Sequence, residues 1–281
     1  MSEKTCGLIA LVGAPNVGKS TLMNALVGAR VGITSSKANT TRIVVRGVLT
    51  AGDAQLIFMD TPGLNNSSKA FDRSLVQEAR GALDDADIVA LVIDAERGFD
   101  GRAKDVMARL KDSSQTAVLI INKIDKTKNK EALLPLMVVA QEAGCFADVV
   151  PVSSLKKRGL EHVVKAFVSV LPEGEWLFPA DMVTDMPIET RLAELTREQV
   201  MRRVHEEIPY GVTVEPLSLG EAEDGVLEVV QNIMVAREKH KGILVGKGGE
   251  QLKELGTLAR AAMGEALGRS VRLFLKVKVA K

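Results

Sequence analysis

The chain has 281 residues, of which 46% are apolar and 26% charged, so it is long enough for two domains or one large one. No apolar run approaches the roughly 18–20 residues of a membrane-spanning helix. The first residues lead straight into a strand pattern, so we expect no cleaved signal peptide. The two cysteines, Cys6 and Cys145, lack metal-ligand spacing and are typical of buried thiols in a reducing compartment. These features predict a soluble, cytoplasmic protein.

Up to residue 171, short apolar runs alternate with helical patterns. The runs predicted as strands are Leu8–Val12, Val44–Leu49, Gln55–Met59, Ile88–Ile93, Ala117–Ile121 and Val149–Val152. The helical patterns between several of them are Leu22–Val27, Asp72–Leu83, Ala103–Leu110, Glu131–Ala143 and Leu160–Val170. Strands separated by helices are typical of βαβ units, so residues 1–171 are predicted to form an α/β domain with a mainly parallel sheet flanked by helices. Its functional loops should lie at the carboxyl ends of the strands.

Residues 172–187 interrupt this alternation with proline, glycine and the only tryptophan, Trp176, and are predicted to be a linker. A second domain is expected at 188–281. Its predicted elements are a helix at Ile188–Glu207, strands at Gly211–Leu219 and Val226–Ala236, helical segments around Gly246–Gly249 and a last strand at Val271–Val279. This order predicts a smaller α+β domain.

The first predicted strand runs into a glycine-rich loop that matches the pattern G-x-x-x-x-G-K-[ST]. Its residues are Gly13, Ala14, Pro15, Asn16, Val17, Gly18, Lys19, Ser20 and Thr21. In such a loop the backbone N–H groups surround phosphates, the lysine reaches the outer phosphates and the serine hydroxyl ligates Mg²⁺. Because a helical pattern follows, the positive end of the helix dipole adds to the same anion site. The loop therefore predicts binding of a nucleoside triphosphate.

A phosphate loop does not select a base, and a second loop supplies candidates for that task. Asn122, Lys123 and Asp125 follow a predicted strand. A carboxylate at Asp125 accepts two hydrogen bonds from guanine, from N1–H and from the exocyclic amine, which adenine does not offer. Asn122 is expected to brace the loops, and the Lys123 stem to cover one face of the base. The residues expected to complete the pocket, with a backbone N–H towards guanine O6, are Ser153, Ser154 and Leu155.

Two further segments are candidates for contacts with the γ-phosphate. Asp60, at a strand end, is placed to hold Mg²⁺ through water, and the Gly63 N–H to meet a γ-phosphate oxygen. Thr61 and Pro62 lie between them, and a plain tight turn is the alternative interpretation of these four residue types. The polar stretch before the second strand contains Thr40 and Thr41. A threonine there would close over Mg²⁺ and the γ-phosphate only in the triphosphate state, and we favour Thr41.

Charge is distributed unevenly in the C-terminal part. Residues 181–228 contain 4 basic and 12 acidic residues, whereas residues 237–281 contain 11 basic and 4 acidic ones. A basic surface suits polyanions, although ordinary solvated helix faces would carry the same charges. An alternative role for the acidic stretch is to repel RNA from one face and orient it towards the G-x-x-G loop described next.

A G-x-x-G sequence lies between two apolar helical segments of the basic part. Its glycines allow a nucleic-acid backbone to approach closely, and the following helix N-terminus favours phosphate. A hinge between two helices is the alternative interpretation. The candidate RNA contacts are Arg237, Lys241, Gly246, Lys247, Gly248 and Gly249.

These motifs resemble those of the translation-factor-related small GTPases, and specifically of the bacterial Era family, over nearly the whole chain. The likeness rests on the phosphate loop, NTTR at 39–42, DTPGL at 60–64, NKID at 122–125 and the G-x-x-G unit, whose element order is similar to that of a type II KH domain. It implies a GTP/GDP switch that hydrolyses GTP with Mg²⁺ held by Ser20, Thr41 and Asp60. It implies catalytic roles for Lys19, Thr41, Asp60 and Gly63. It also implies that the KH domain recognises the 3′ region of 16S ribosomal RNA during maturation of the 30S subunit. We expect a monomer.

The residue after Gly63 departs from the pattern of many GTPases, which place a water-orienting glutamine there. Leu64 cannot hydrogen-bond the attacking water. The expected consequence is slow intrinsic hydrolysis that a bound partner accelerates.

Three other functions are considered. The alternative of an RNA-binding assembly protein whose nucleotide site is mainly structural conflicts with the intact Lys19, Ser20, Asp60 and Asp125. A tRNA-modifying GTPase would need a large helical insert and a C-terminal reactive cysteine, which the sequence lacks. Peripheral membrane association remains an alternative, because the resemblance allows it and the C-terminal segment is basic. No strongly amphipathic anchor is evident in the sequence.

Overall fold

The protein is described by a computed structural model, which covers residues 4–34, 44–60, 84–113, 115–127, 129–204 and 211–280. The described residues form two compact units. The first contains the chain up to Gly32 and its later part up to Asp185, and the second contains Ile33, Thr34 and the chain from Met186 onward. The division at Asp185 lies within the stretch 172–187 expected to link two domains.

The first unit is built on a six-stranded sheet. Its strands are β1 (Thr5–Val12), β2 (Val45–Ala51), β3 (Ala54–Asp60), β4 (Ile88–Asp94), β5 (Thr116–Asn122) and β6 (Asp148–Pro151). The order across the sheet is β2-β3-β1-β4-β5-β6, and every neighbouring pair is parallel except β2 with β3. The antiparallel pair follows from a tight turn in which Gly52 adopts a φ of 62°, a left-handed conformation that glycine tolerates. The mainly parallel sheet predicted from the alternating pattern is confirmed.

Helices of the first unit cover the apolar strands. They are α1 (Lys19–Val27), α2 (Gly101–Asp112), α3 (Leu134–Ala143) and α4 (Leu160–Val168), and a 3₁₀ turn at Lys130–Leu133 precedes α3. All residues of β3 and β4 are buried, which parallel strands require when helices cover both faces. Asp100 begins α2 by accepting a hydrogen bond from the Ala103 N–H at 2.9 Å. The helix predicted at Asp72–Leu83 lies outside the described residues.

The segment after α4 is fastened to the first unit by its backbone. The Gly174 N–H donates to the Lys4 carbonyl at 3.0 Å, and the Val48 N–H donates to the Val183 carbonyl at 2.9 Å. The indole of Trp176 donates to the Asp53 carbonyl at 3.1 Å. The stretch predicted as a linker therefore follows the surface of the first unit for most of its length.

The second unit is a three-stranded sheet with three helices. Its elements are α5 (Ile188–Arg203), β7 (Thr213–Glu221), β8 (Leu227–Val235), α6 (Glu238–Val245), α7 (Glu250–Leu267) and β9 (Val271–Val279). β8 lies between β7, to which it is antiparallel, and β9, to which it is parallel. Odd-numbered residues of β8 and β9 join residues of α5, α6 and α7 in two apolar clusters. The predicted α+β domain is confirmed, and β9 has the predicted bounds.

None of the helices in the described part of the chain is long and apolar enough to cross a membrane.

Candidate nucleotide site and nucleic-acid interface

The phosphate loop joins β1 to α1, and two of its glycines leave no room for a side chain. A Cβ at Gly13 would lie 2.2 Å from the Val92 carbonyl oxygen, and one at Gly18 would lie 2.4 Å from the Asn122 Nδ2. Gly13 and Gly18 also have φ values of 146° and 102°, which other residues rarely adopt. The loop can therefore approach its neighbours closely only because these positions are glycine.

Lys19 lies at the first turn of α1 with its side chain folded over the loop. Its Nζ donates to the carbonyls of Gly13 and Ala14 at 3.1 and 3.2 Å. Burial lowers the pKa of Lys19, and the Asp60 carboxylate opposes this effect. A buried cation at a helix N-terminus, with no acidic residue in the first turn, is suited to bind an anion.

Ser20 and Asp60 meet where Mg²⁺ is expected. The Ser20 hydroxyl donates a hydrogen bond to the Asp60 Oδ2, and the Asp60 side chain is fully buried at the end of β3. A hydroxyl and a carboxylate are both hard oxygen donors, which Mg²⁺ prefers. The two side chains therefore fit a magnesium ion. The other predicted γ-phosphate residues, Thr41, Thr61, Pro62 and Gly63, lie outside the described residues, as do Thr40 and Leu64.

Asn122 connects three loops at the carboxyl end of β5. Its Nδ2 donates to the Val17 carbonyl at 2.9 Å. Its Oδ1 accepts from the Lys123 N–H at 2.8 Å and from the N–H and hydroxyl of Ser154 at 3.1 and 2.9 Å. The bracing expected of Asn122 therefore joins the phosphate loop to both base-pocket loops.

Lys123 makes a second connection to the phosphate loop. Its Nζ donates to the Asn16 carbonyl and forms an ion pair with the Asp94 Oδ2 at 2.9 Å. Sequence reasoning missed Asp94, because it follows the apolar run Ile88–Ile93 and belongs to no recognised motif. Its place at the carboxyl end of a parallel strand was the signal that could have singled it out.

The remaining pocket residues surround Asp125. The Ser153 hydroxyl donates to the Asp125 Oδ1, and the Ser153 Oγ accepts from the Lys156 N–H at 3.2 Å. Asp125 itself is exposed, and Leu155 is 70% exposed. A carboxylate held by one oxygen and open to solvent at the loop surface is suited to receive donors from a base.

In the second unit, the G-x-x-G sequence forms the turn between α6 and α7. A Cβ at Gly246 would lie 2.7 Å from the Gln251 Cγ. Gly248 and Gly249 have φ values of 62° and 84°. Lys247 is exposed in the turn, three residues before Glu250, the first residue of the 18-residue helix α7. The turn therefore presents backbone, one cation and a helix N-terminus to the solvent.

The other two predicted RNA contacts lie at the start of α6. Arg237 is exposed and precedes the helix. Lys241 is half-buried, and its Nζ lies 3.8 Å from the Glu238 carboxylate. Lys241 thus already has a nearby acid within its own helix, so its charge is partly balanced.

The acidic and basic stretches of the second unit contact each other. Arg272 pairs with Asp224 and Glu228 at 2.8 and 2.7 Å, and Arg269 pairs with Glu221 at 3.3 Å. The acidic stretch therefore pairs with part of the basic stretch, and its expected repulsion of RNA stays a prediction. Because β8 and β9 are neighbours in the sheet, part of the uneven charge is neutralised inside the unit.

A phosphate loop before the first helix of a mainly parallel sheet, an Asn-Lys-x-Asp base loop and a second unit with a G-x-x-G turn define a P-loop GTPase joined to a KH domain. Two protein-family models match the two units: the family described as "50S ribosome-binding GTPase" matches residues 8–123, and the family described as "KH domain" matches residues 207–281.

Similar proteins extend over nearly the whole chain. GTPase Era of Rhizobium meliloti (strain 1021) is 43% identical over 97% of this chain and 87% of that protein. GTPase Era of Sinorhizobium medicae (strain WSM419) is 44% identical over 97% of this chain and 88% of that protein. The chain belongs to the Era family of GTPases, and the expected family is confirmed.

Two solved structures share the fold. Era in complex with MgGDPNP and nucleotides 1506–1542 of 16S ribosomal RNA has a TM-score of 0.92 at 39% identity, covering 99% of this chain and 94% of that one. A variant of Aquifex aeolicus Era bound to GDP and AlF₄⁻ has the same TM-score and identity, covering 98% of this chain and 94% of that one. This chain is accordingly a GTPase that hydrolyses GTP to GDP and phosphate.

Proposed function

We propose that this GTPase is a switch whose GTP-bound form binds the 3′ region of 16S ribosomal RNA through the KH domain and assists maturation of the 30S subunit. The observation that carries the proposal is the joining of the phosphate loop to the base loop by Asn122 and Lys123. That connection makes one continuous nucleotide site, while a separate unit presents the G-x-x-G turn. Nucleotide and RNA are thus assigned to different units of one chain.

In the nucleotide site, we assign Ser20 and Asp60, with Thr41, to Mg²⁺. The ion, when bound, neutralises negative charge on the β- and γ-phosphates. The Lys19 ammonium, which donates to two loop carbonyls, has a third donor for the outer phosphates, and the N–H groups of the loop bind the remaining oxygens. We assign the Gly63 N–H to a γ-phosphate oxygen.

Guanine is selected by hydrogen bonding at Asp125. Its carboxylate accepts from guanine N1–H and the exocyclic amine, and the Ser153 hydroxyl holds the other side of that carboxylate. A base without these donors covers the carboxylate without pairing with it, so the carboxylate loses water and keeps only the Ser153 hydroxyl as a partner, which costs several kcal/mol in order of magnitude. The Leu155 backbone N–H lies in the loop expected to meet guanine O6.

Leu64 makes intrinsic hydrolysis slow, because no side-chain donor at that position orients the attacking water. We expect single-turnover hydrolysis to speed up when the 30S subunit is added at saturating concentration. A free protein that hydrolyses GTP as fast as the saturated complex would contradict this part of the proposal.

The RNA part of the proposal is supported by the G-x-x-G turn with its exposed Lys247 and by the Era structure that contains 16S ribosomal RNA nucleotides. Crosslinking and sequencing of bound RNA, with GTP-locked and GDP-bound protein, tests it. We expect enrichment of the 3′ end of 16S ribosomal RNA with GTP and less with GDP. Equal enrichment with both nucleotides would argue against a switch, and no enrichment would argue against the RNA target.

We further propose that the protein acts as a cytoplasmic monomer with a peripheral fraction on the inner face of the cell membrane. The support is the basic C-terminal segment, which suits anionic lipid head groups as well as RNA. Flotation with anionic vesicles, with and without RNA, tests the membrane part. Light scattering of the purified protein tests the monomer.

A further inference from the structure

Asp94 is a buried acid beside the base loop with no role in the functions assigned so far. It is the last residue of β4, and its side chain is 5% exposed. β4 pairs with β5 so that Asp94 lies opposite Asn122, and the Ala95 N–H donates to the Asn122 carbonyl at 2.8 Å. The carboxylate therefore lies at the edge where both nucleotide loops meet.

The two oxygens of Asp94 serve different partners. Oδ1 accepts from the Glu96 N–H at 3.0 Å and shapes the turn after β4. Oδ2 accepts from the Lys123 Nζ at 2.9 Å. Burial alone would raise the pKa of Asp94, but the hydrogen bonds from Lys123 and Glu96 outweigh it and lower the pKa. The side chain is therefore charged at neutral pH.

The turn does not explain why this side chain is a carboxylate. An asparagine offers the same carbonyl oxygen to the Glu96 N–H, and asparagine is as common in such turns. The second oxygen serves Lys123 alone among the hydrogen bonds described, and the negative charge interacts with Lys123 and more weakly with Arg97. That lysine has a φ of 64°, and its ammonium also donates to the Asn16 carbonyl of the phosphate loop.

We propose that Asp94 is a positioning residue for nucleotide binding: its carboxylate holds the Lys123 ammonium against the phosphate loop and thereby sets the Lys123 stem along the base pocket before nucleotide arrives. The inference rests on the proposed guanine pocket. Since GDP and GTP carry the same base, loss of this contact weakens both equally. The chemical step, at the far end of the nucleotide, is affected much less.

The variant Asp94→Asn tests this, because it keeps an oxygen for the turn and places an amide donor against the ammonium. We expect the Kd of GDP and of a non-hydrolysable GTP analogue to rise by the same factor, about tenfold, the size of one charged hydrogen bond. The KM for GTP should rise with them while kcat stays within about twofold. Unchanged affinity for both nucleotides would overturn the proposal.

Asp87→Asn is the matched control. Asp87 precedes the other end of the same strand, about 20 Å from Asp94 by strand geometry, and accepts from the Leu8 N–H at 2.8 Å. We expect its nucleotide affinity to equal that of the unaltered protein. A tenfold loss there as well would assign the Asp94 effect to general weakening of the sheet and overturn the proposal.

The same substitution can also be tested in a second parent variant, Lys123→Met, in case Asp94→Asn alone does not fold. In Lys123→Met, Asp94 has lost the partner through which it acts, and adding Asp94→Asn removes the remaining buried charge. We expect the single Lys123→Met variant and the double variant to bind GDP equally. A further loss in the double variant would show that Asp94 acts by another route and would overturn the positioning role.

Asp125→Asn separates this inference from the proposed guanine pocket. An asparagine amide there pairs with the C2 carbonyl of xanthine, so preference should shift from GDP to xanthosine diphosphate. No shift would contradict the pocket itself. A shift at Asp125 together with unaltered binding by Asp94→Asn would contradict only the role of Asp94.

Discussion

Single backbone positions decide how closely the nucleotide loops approach each other. At Gly18, the missing Cβ leaves the space in which the Asn122 amide donates to the Val17 carbonyl at 2.9 Å. The Oδ1 of the same Asn122 amide accepts hydrogen bonds from the Ser154 N–H and hydroxyl. A methyl group at one residue would thus disturb three loops.

Gly18→Ala is predicted to lower GDP affinity by at least about tenfold, because its Cβ would displace the Asn122 side chain and leave buried polar groups without partners. Equilibrium binding of a fluorescent GDP derivative measures the effect. Gly101→Ala is the control, since a Cβ there meets nothing within 4 Å and alanine favours the helix. Comparable loss in both variants would mean that the effect does not come from the loop.

At the scale of elements, one buried side chain of β3 fastens the segment that follows α4 within the first unit. The Gln55 Oε1 accepts from the N–H groups of Leu177 and Phe178 at 2.9 and 3.0 Å. Its Nε2 donates to the Phe178 carbonyl at 2.8 Å. β3 also carries Asp60 at its end, so the same strand supports both the nucleotide site and the path of the chain towards the second unit.

Gln55→Leu is predicted to destabilise this attachment by about 2 kcal/mol, because the backbone groups of the segment lose their partners. The fluorescence of Trp176, the only tryptophan, reports directly on the segment during urea unfolding. Gln141→Leu, on the exposed face of α3, should change stability by less than about 0.5 kcal/mol. An unfolding midpoint that stays the same in Gln55→Leu would show that the segment is held by other contacts.

At the scale of the whole molecule, acidic and basic residues are concentrated in different stretches of the sequence, but several of them form ion pairs with each other in the fold. The acidic stretch at 181–228 meets the basic stretch at 237–281 where Arg272 of β9 pairs with Asp224, just before β8, and with Glu228 of β8. Lys247, by contrast, is exposed in the G-x-x-G turn that we propose as the RNA interface. Sequence position alone therefore does not show which cations are available to RNA.

Lys247→Gln is predicted to weaken RNA binding and to reduce the slope of log K against log salt by about 0.7, the value for one phosphate contact of a single strand. Arg272→Gln should leave that slope unchanged, because its guanidinium already binds two carboxylates. Filter binding of a 16S 3′-end oligonucleotide over a range of salt concentrations measures both. The reverse ranking would place the RNA on the sheet instead of the G-x-x-G turn.

Local patterns were sufficient to predict much of the fold and to name a candidate nucleotide site. The phosphate loop, Asn122, Lys123 and Asp125 were recognisable because backbone curvature, phosphate binding and base recognition each require particular residue types at short spacing. The apolar runs predicted the strands, with β9 at its observed bounds, because burial on a sheet imposes a short repeating pattern.

The amino-acid sequence by itself determined the two-domain organisation, the Era-family motifs and the candidate residues for phosphate, base and RNA. Only the tertiary structure decided that Asp94 pairs with Lys123, that Gln55 fastens the segment after α4, and that the acidic and basic stretches of the second unit neutralise each other in part. These contacts join residues 29, 122 and 48 positions apart in the chain. Such pairings depend on strand order and register, which no local pattern of residue types encodes.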